Sequence, residues 1–165
     1  MKNYVGQIVD ALLAGLQGVT LENGYHHELR TVKRYDSRAE TQDHPMGIRY
    51  GDRPAAILGI ESVQRSIEGD TAQVELELSL LALVATEDPE APAESLDELV
   101  ELLEDDLYRA TQGVLDPQGA LQGAIFEEWS AQALTTSDAS GTLEGLLVSI
   151  LVHFKHPQDD TINPL

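Results

Sequence analysis

The chain has 165 residues, 42% of them apolar, with 29 acidic and 10 basic side chains, a formal charge of −19 and no cysteine. A chain of this size buries roughly two thirds of the surface it exposes when unfolded, without help from disulfides or a metal. Lack of cysteine excludes a disulfide scaffold, a thiolate zinc site, an iron–sulfur cluster and a cysteine nucleophile. The negative charge argues against independent binding to duplex DNA or anionic membranes, because phosphate recognition rests on Lys and Arg displacing counterions.

The N-terminus leads into a helix interrupted by Asp10, not into the unbroken apolar run of a signal peptide. No stretch approaches the ~18–20 apolar residues that span a bilayer, so a protein kept in water is expected. Residues 2–17 predict an amphipathic helix, with Val5, Ile8, Val9, Leu12, Leu13 and Leu16 on a 3.6-residue period, stopped by Gly15, Gly18 and Asn23-Gly24. A weak β-branched alternation then gives a first strand ending at Tyr35. Asp36 to Arg53 is polar and rich in Asp, His, Pro and Gly, and reads as an arm or flexible hairpin.

Residues 55–65 and 71–85 predict two strands joined by the turn Glu68-Gly69-Asp70. In the second, Ala72, Val74, Leu76, Leu78, Leu80, Ala82 and Val84 form one apolar face; Gln73, Glu75, Glu77 and Ser79 lie opposite, where Leu81 and Leu83 turn the pattern apolar. Thr86 to Glu94, with Pro89 and Pro92, reads as a linker. Ser95 and Glu98 form a capping box for a helix whose stripe is Leu96, Leu99, Val100, Leu103, Leu107 and Ala110, with the acids on its other face. Gly113 or Asp116-Pro117 ends it.

The last third predicts a long hairpin. Ile125, Glu127, Trp129, Ala131 and Ala133 alternate against Phe126, Glu128, Ser130, Gln132 and Leu134, and Ser137 to Gly141 turns the chain. Leu146, Val148, Ile150, Val152 and Phe154 share one face of the return. Short turns require antiparallel neighbours. The expected fold is therefore α+β: one antiparallel β-sheet of about five long strands, two helices packed on one face and a protruding arm. A single domain covers 1–165, with the arm at 36–53 and a polar C-terminal tail at 157–165.

Charge is unevenly spread. Between Glu87 and Asp106 lie ten carboxylates and no base, whereas Arg30 to Arg53 holds six bases against four acids. In a self-associating protein, opposite patches favour a head-to-tail contact that can close into a ring. The candidate interface residues are Arg34, Arg38, Arg49 and Arg53 on the basic side and Glu101, Glu104 and Asp105 on the acidic side.

Catalytic, metal and cofactor residues are not expected. His26-His27-Glu28 and His153-x-x-His156 are the local histidine clusters, but in extended chain each pair points to opposite sides. Asp105-Asp106 and Glu127-Glu128 are sequence neighbours, hence on different faces and weak as acid–base pairs. Nothing matches a nucleophile elbow, a phosphate loop or a dinucleotide fingerprint. Trp129 and Tyr108 read as core or interface, and Tyr25 as a packing anchor.

The element order resembles the tail terminator (tail completion) proteins of long-tailed phages and the tube-capping proteins of phage-tail-like particles. The resemblance is carried by Ile8-Val9-Asp10-Ala11-Leu12-Leu13, Asn23-Gly24-Tyr25, Glu28 to Arg34, Pro54 to Gly59, Val74 to Leu78, Leu96 to Leu99, and the closing hairpin with Trp129, Asp138 to Gly141 and Ile150 to Phe154. It covers nearly the whole chain as a pattern of elements. It implies a structural virion protein, not an enzyme: a homo-oligomer, a hexameric ring on the tail tube protein, that ends tube polymerisation and offers a joining surface to the head connector or head-completion protein. DNA would pass through the channel without specific binding. The place implied is the head-proximal end of the tail, after assembly in the host cytoplasm, with no membrane contact. The alternatives are another neck, head-closure or baseplate adaptor protein, or a small ligand-binding domain or enzyme.

Overall fold

The computed structural model describes residues 3–35, 48, 50–84, 96–114, 123–138 and 141–165. The elements are helix α1 (Tyr4–Gln17), strand β1 (Thr31–Arg34), a 3-10 turn (Tyr50–Asp52), β2 (Ala55–Glu68), β3 (Thr71–Leu83), helix α2 (Leu96–Val114), β4 (Ile125–Asp138) and β5 (Gly141–Pro157). Five strands form one sheet in the order β1-β2-β3-β5-β4. It is an α+β fold, as expected, with one correction: β1 pairs parallel to β2, so the sheet is mixed and not purely antiparallel. A parallel neighbour requires a crossover connection, and residues 35–54 are long enough to supply it. β1 is also short, four residues against 13 to 17 in the other strands.

α1 begins where the Asn3 side chain accepts the Gly6 N–H at 2.9 Å, and Gly18 caps its end. Its stripe of Tyr4, Val5, Ile8, Val9, Leu12 and Leu16 is buried. Each such side chain contributes roughly 1.5–3 kcal/mol relative to exposure. The stripe joins Leu103, Leu107 and Ala110 of α2 and the even-numbered face of β3 and β5 in one core. Both helices therefore cover the same face of the sheet. The other face holds a small second cluster at one end, Ile48, Ala55, Ile57, Leu81, Leu83 and Leu134; Leu81 and Leu83 lie where the alternation in β3 changes character.

The arm divides. Residues 36–47 and 49 lie outside the described residues, as do the 85–95 linker with Ser95 of the expected capping box, Asp116-Pro117, and 139–140 of the last turn. Ile48 and Arg53, by contrast, are buried against the sheet, so this end of the expected arm does not protrude. The β2–β3 turn is a tight hairpin in which Glu68 pairs with Thr71 and Gly69 takes φ +63°, a conformation side chains rarely adopt. Residues 157–165 fold back: the Tyr4 N–H donates to Thr161 O at 2.8 Å, the Gln7 side chain to Ile162 O at 3.0 Å, and Leu165 N to Lys155 O at 2.8 Å. Among the described residues no helix is long and apolar enough to cross a membrane.

A register slip between Phe126 and Glu128 corrects the face assignment in β4. One extra residue reverses the alternation, so Phe126 shares the helix-covered face with Trp129 and stacks on it at 6.2 Å. Tyr108 of α2 meets the same indole edge-on at 5.5 Å.

Candidate functional site

Because both helices occupy one face, no element among the described residues covers the opposite face of the long strands beyond the Ile48 cluster. Strand register assigns to it Glu68 of β2, Glu75 and Glu77 of β3 and Glu128 of β4, against Lys33 and Lys155; the bulge residues Glu61 and Glu127 reach the same face beside Ser79 and His153, so Glu127 and Glu128 share a face, contrary to the expectation from their being sequence neighbours. Glu75, Glu77 and Glu128 surround a shallow depression floored by Ser130, Ser149 and Leu151. Three contacts order these acids: Ser62 Oγ donates to Glu77 at 3.3 Å, Gln73 Nε2 to Glu68 at 2.8 Å, and His153 Nδ1 lies 3.3 Å from Glu127. Glu75 and Glu77 sit two residues apart on one pleat, roughly 7 Å. The surface repels polyanions and attracts cations.

The expected interface residues that the structure describes are spread over β1, the segment before β2 and helix α2. Arg34 is exposed at the end of β1. Arg38 and Arg49 lie outside the described residues. Arg53 is 4% exposed and so is not a surface side chain, a correction to the expectation. On α2, Glu101 is exposed, Glu104 accepts the Trp129 Nε1–H at 2.9 Å, and Asp105 lies 3.2 Å from His26 Nε2 and 3.5 Å from Arg109. α1 packs against β1, while α2 contacts β5 and, through Glu104, Trp129 of β4, so Arg34 and Glu104 stand toward different edges of the sheet.

Asp106 departs from the expected outward acidic face of α2. It falls three residues after Leu103, on the apolar stripe, and is fully buried. Its carboxylate accepts the His26 N–H at 2.9 Å and the His27 N–H at 2.8 Å, with His27 Nδ1 at 3.1 Å. Arg109 reaches Asp106 at 3.9 Å, donates to Gly24 O at 3.3 Å and stacks 4.7 Å above the Tyr25 ring. Thus both histidines serve one attachment, holding the 24–28 loop on α2, and Tyr25 is the packing anchor. The donor atoms of His26, Asp105 and Asp106 lie within 4.8 Å of one another. The Arg109 guanidinium beside both carboxylates supplies positive charge there, and Asp106 spends its oxygens on backbone N–H groups. The arrangement is that of a tether. Sequence reasoning missed it because the partners are 79 and 80 residues apart.

At the other histidine pair, His153 lies on the uncovered face and His156 is buried on the helix side, where its Nδ1 meets Pro157 O at 2.6 Å. A second apolar cleft, lined by Gln112, Ile125, Phe126, Lys155 and Leu165, lies where the tail meets the start of β4. No protein-family model matches the chain, and comparison with curated proteins gives no significant match.

Proposed function

We propose that this chain is a structural virion protein that assembles as a ring, closes the end of a tail tube and offers a joining surface to the head. The observation that carries this reading is the one-sided sheet, which among the described residues has helices on one face and six carboxylates against two lysines on the other. In a ring the bulky helical layer belongs outside, where there is room, and the flat face belongs at the bore. A carboxylate-lined bore repels phosphate at a range set by the ~10 Å Debye length at 0.1 M salt, so DNA passes without sticking. An exposed Arg34 at the β1 edge and an acidic α2 whose Glu104 reaches Trp129 of β4 at the other edge support a heterologous, head-to-tail contact, the kind that closes into rings.

The test is light scattering coupled to size exclusion, followed by negative-stain imaging. Six 18.0 kDa chains give a particle of about 108 kDa with a central hole. A strictly monomeric species at every concentration, alone and in the presence of tail tubes, overturns the reading. A compact dimer without a hole overturns it equally.

A further inference from the structure

The ring reading leaves open which surfaces meet, and the strand directions constrain the answer. β1 runs with β2, β2 against β3, β3 against β5 and β5 against β4, so the two edge strands of the sheet run in opposite directions. Rotation about an axis along the strands preserves strand direction. It therefore sets β1 of one copy antiparallel to β4 of the next, the better hydrogen-bonded arrangement.

Height can be read from the registers. Thr31 is level with Ala55, Leu83, Gly145 and finally Leu134; Arg34 is level with Leu58, Leu80, Val148 and finally Ala131. The β1 edge thus stands at the height of residues 131–134 of β4. That segment lies in the run Ser130 to Ser137, which has no charge, proline or lysine, the features that normally keep an exposed edge from pairing. No backbone hydrogen bond outside the sheet ladders involves β4 among the described residues.

Charge complements this edge. Arg30 to Arg34 carries three cations and no acid. α2 runs back along β4: Gln112 shares a cleft with Phe126, while Tyr108 and Glu104 meet Trp129. Glu101, one turn earlier on the same helix face, is therefore carried toward Ala131. Arg34 belongs to the helix-covered face, the side on which Glu101 stands, while Lys33 belongs to the uncovered face, the side of Glu128.

Resting on the ring reading, we propose that the β1 edge of one copy adds to the β4 edge of the next. The occupant of the β4 edge is a second copy of this chain, and the sheet continues around the ring, with Arg34 meeting Glu101 and Lys33 level with Gln132. Two surface variants test it, each checked for a wild-type circular dichroism spectrum and melting temperature: Lys33→Glu/Arg34→Glu, with two acidic edges, and Glu101→Lys/Gln132→Lys, with two basic edges. Each alone is expected to weaken assembly by tenfold or more; an equimolar mixture, in which unlike edges alternate, is expected to return to within about threefold of wild type. Independently, Lys33→Cys/Gln132→Cys in this cysteine-free chain is expected to give a ladder of disulfide-linked oligomers on oxidation, each single variant stopping at dimers. Rings from both charge variants at wild-type concentration, or a double-cysteine variant without a ladder, overturn the edge contact and leave the ring reading standing. A mixture no better than its components also overturns the contact. A monomeric wild type overturns both.

Discussion

Asp106 is the residue whose removal should do most damage outside the apolar core. Replacing it by alanine strips the acceptor from two backbone N–H groups and from His27, all in a part-buried setting, and leaves Arg109 with Asp105 alone. A donor left without an acceptor costs about 1–3 kcal/mol when buried; with water reaching part of this loop, the two together come to about 2–4 kcal/mol. For a domain of this length that lowers the melting temperature by roughly 6–12 °C. Asp106→Asn keeps one carbonyl oxygen and should lose about half as much. Thermal and urea unfolding followed by circular dichroism measure the loss, and amide exchange at His26 and His27 locates it. If Asp106→Ala melts within about 3 °C of wild type, the loop is held by its apolar contacts and the tether argument fails.

Three further outcomes are expected. Burial raises the Tyr4 phenol above its ordinary value of 10.0, opposed in part by a hydrogen bond with the Ala124 backbone. Its neutral form stabilises the fold fully below that value, and the contribution is lost as pH rises through the higher folded value; Tyr4→Phe should show a flatter alkaline limb in stability against pH, and an unchanged limb refutes the assignment. The Asp160 carboxyl is held below its usual range, first by the Asn163 side chain and then by the backbone N–H groups of Ile162 and Asn163. This contribution is present above the ordinary aspartate value and disappears as pH falls through the lower folded value, so acid should lower the protection of the Ile162 and Asn163 amides, relative to their intrinsic exchange rates at each pH, before the core strands respond. Finally, a methyl group at Gly145 would run into the backbone of Ala82 and Leu83; Gly145→Ala should cost about 2–3 kcal/mol in urea unfolding, and a neutral effect would mean the β3–β5 ladder relaxes freely there.

What could be read in advance followed periodicity. β3 and β5 show strict alternation because one face is dry, and α1 shows its stripe for the same reason. Three things broke the period or lay beyond its reach. The extra residue at Glu127 turned Phe126 to the side of Trp129, and alternation alone has no marker for a bulge. The direction of β1 depends on a crossover, and the side-chain pattern of a four-residue edge strand is the same in either direction. Asp106 stands on an apolar stripe where a carboxylate would be costly unless partnered, and its partners come from a loop some 80 residues away. Of the residues expected at an interface, Arg34 and Glu101 are exposed, while Arg53 is buried where the chain before β2 folds against the sheet.

The seam between β3 and β5 divides the sheet into two local hairpins, β2–β3 and β4–β5, each closed by a short connection. Joining them pairs Ala72 with His156 and brings together residues more than 80 positions apart. Hairpins form in microseconds, whereas non-local pairing waits on chain diffusion, so the seam is the slow closure of this fold. Until it closes, each half presents a second bare edge, and β3 of one chain can accept β5 of another. Concentrated refolding should therefore yield exchanged dimers that dilute refolding avoids, an outcome readable by size exclusion.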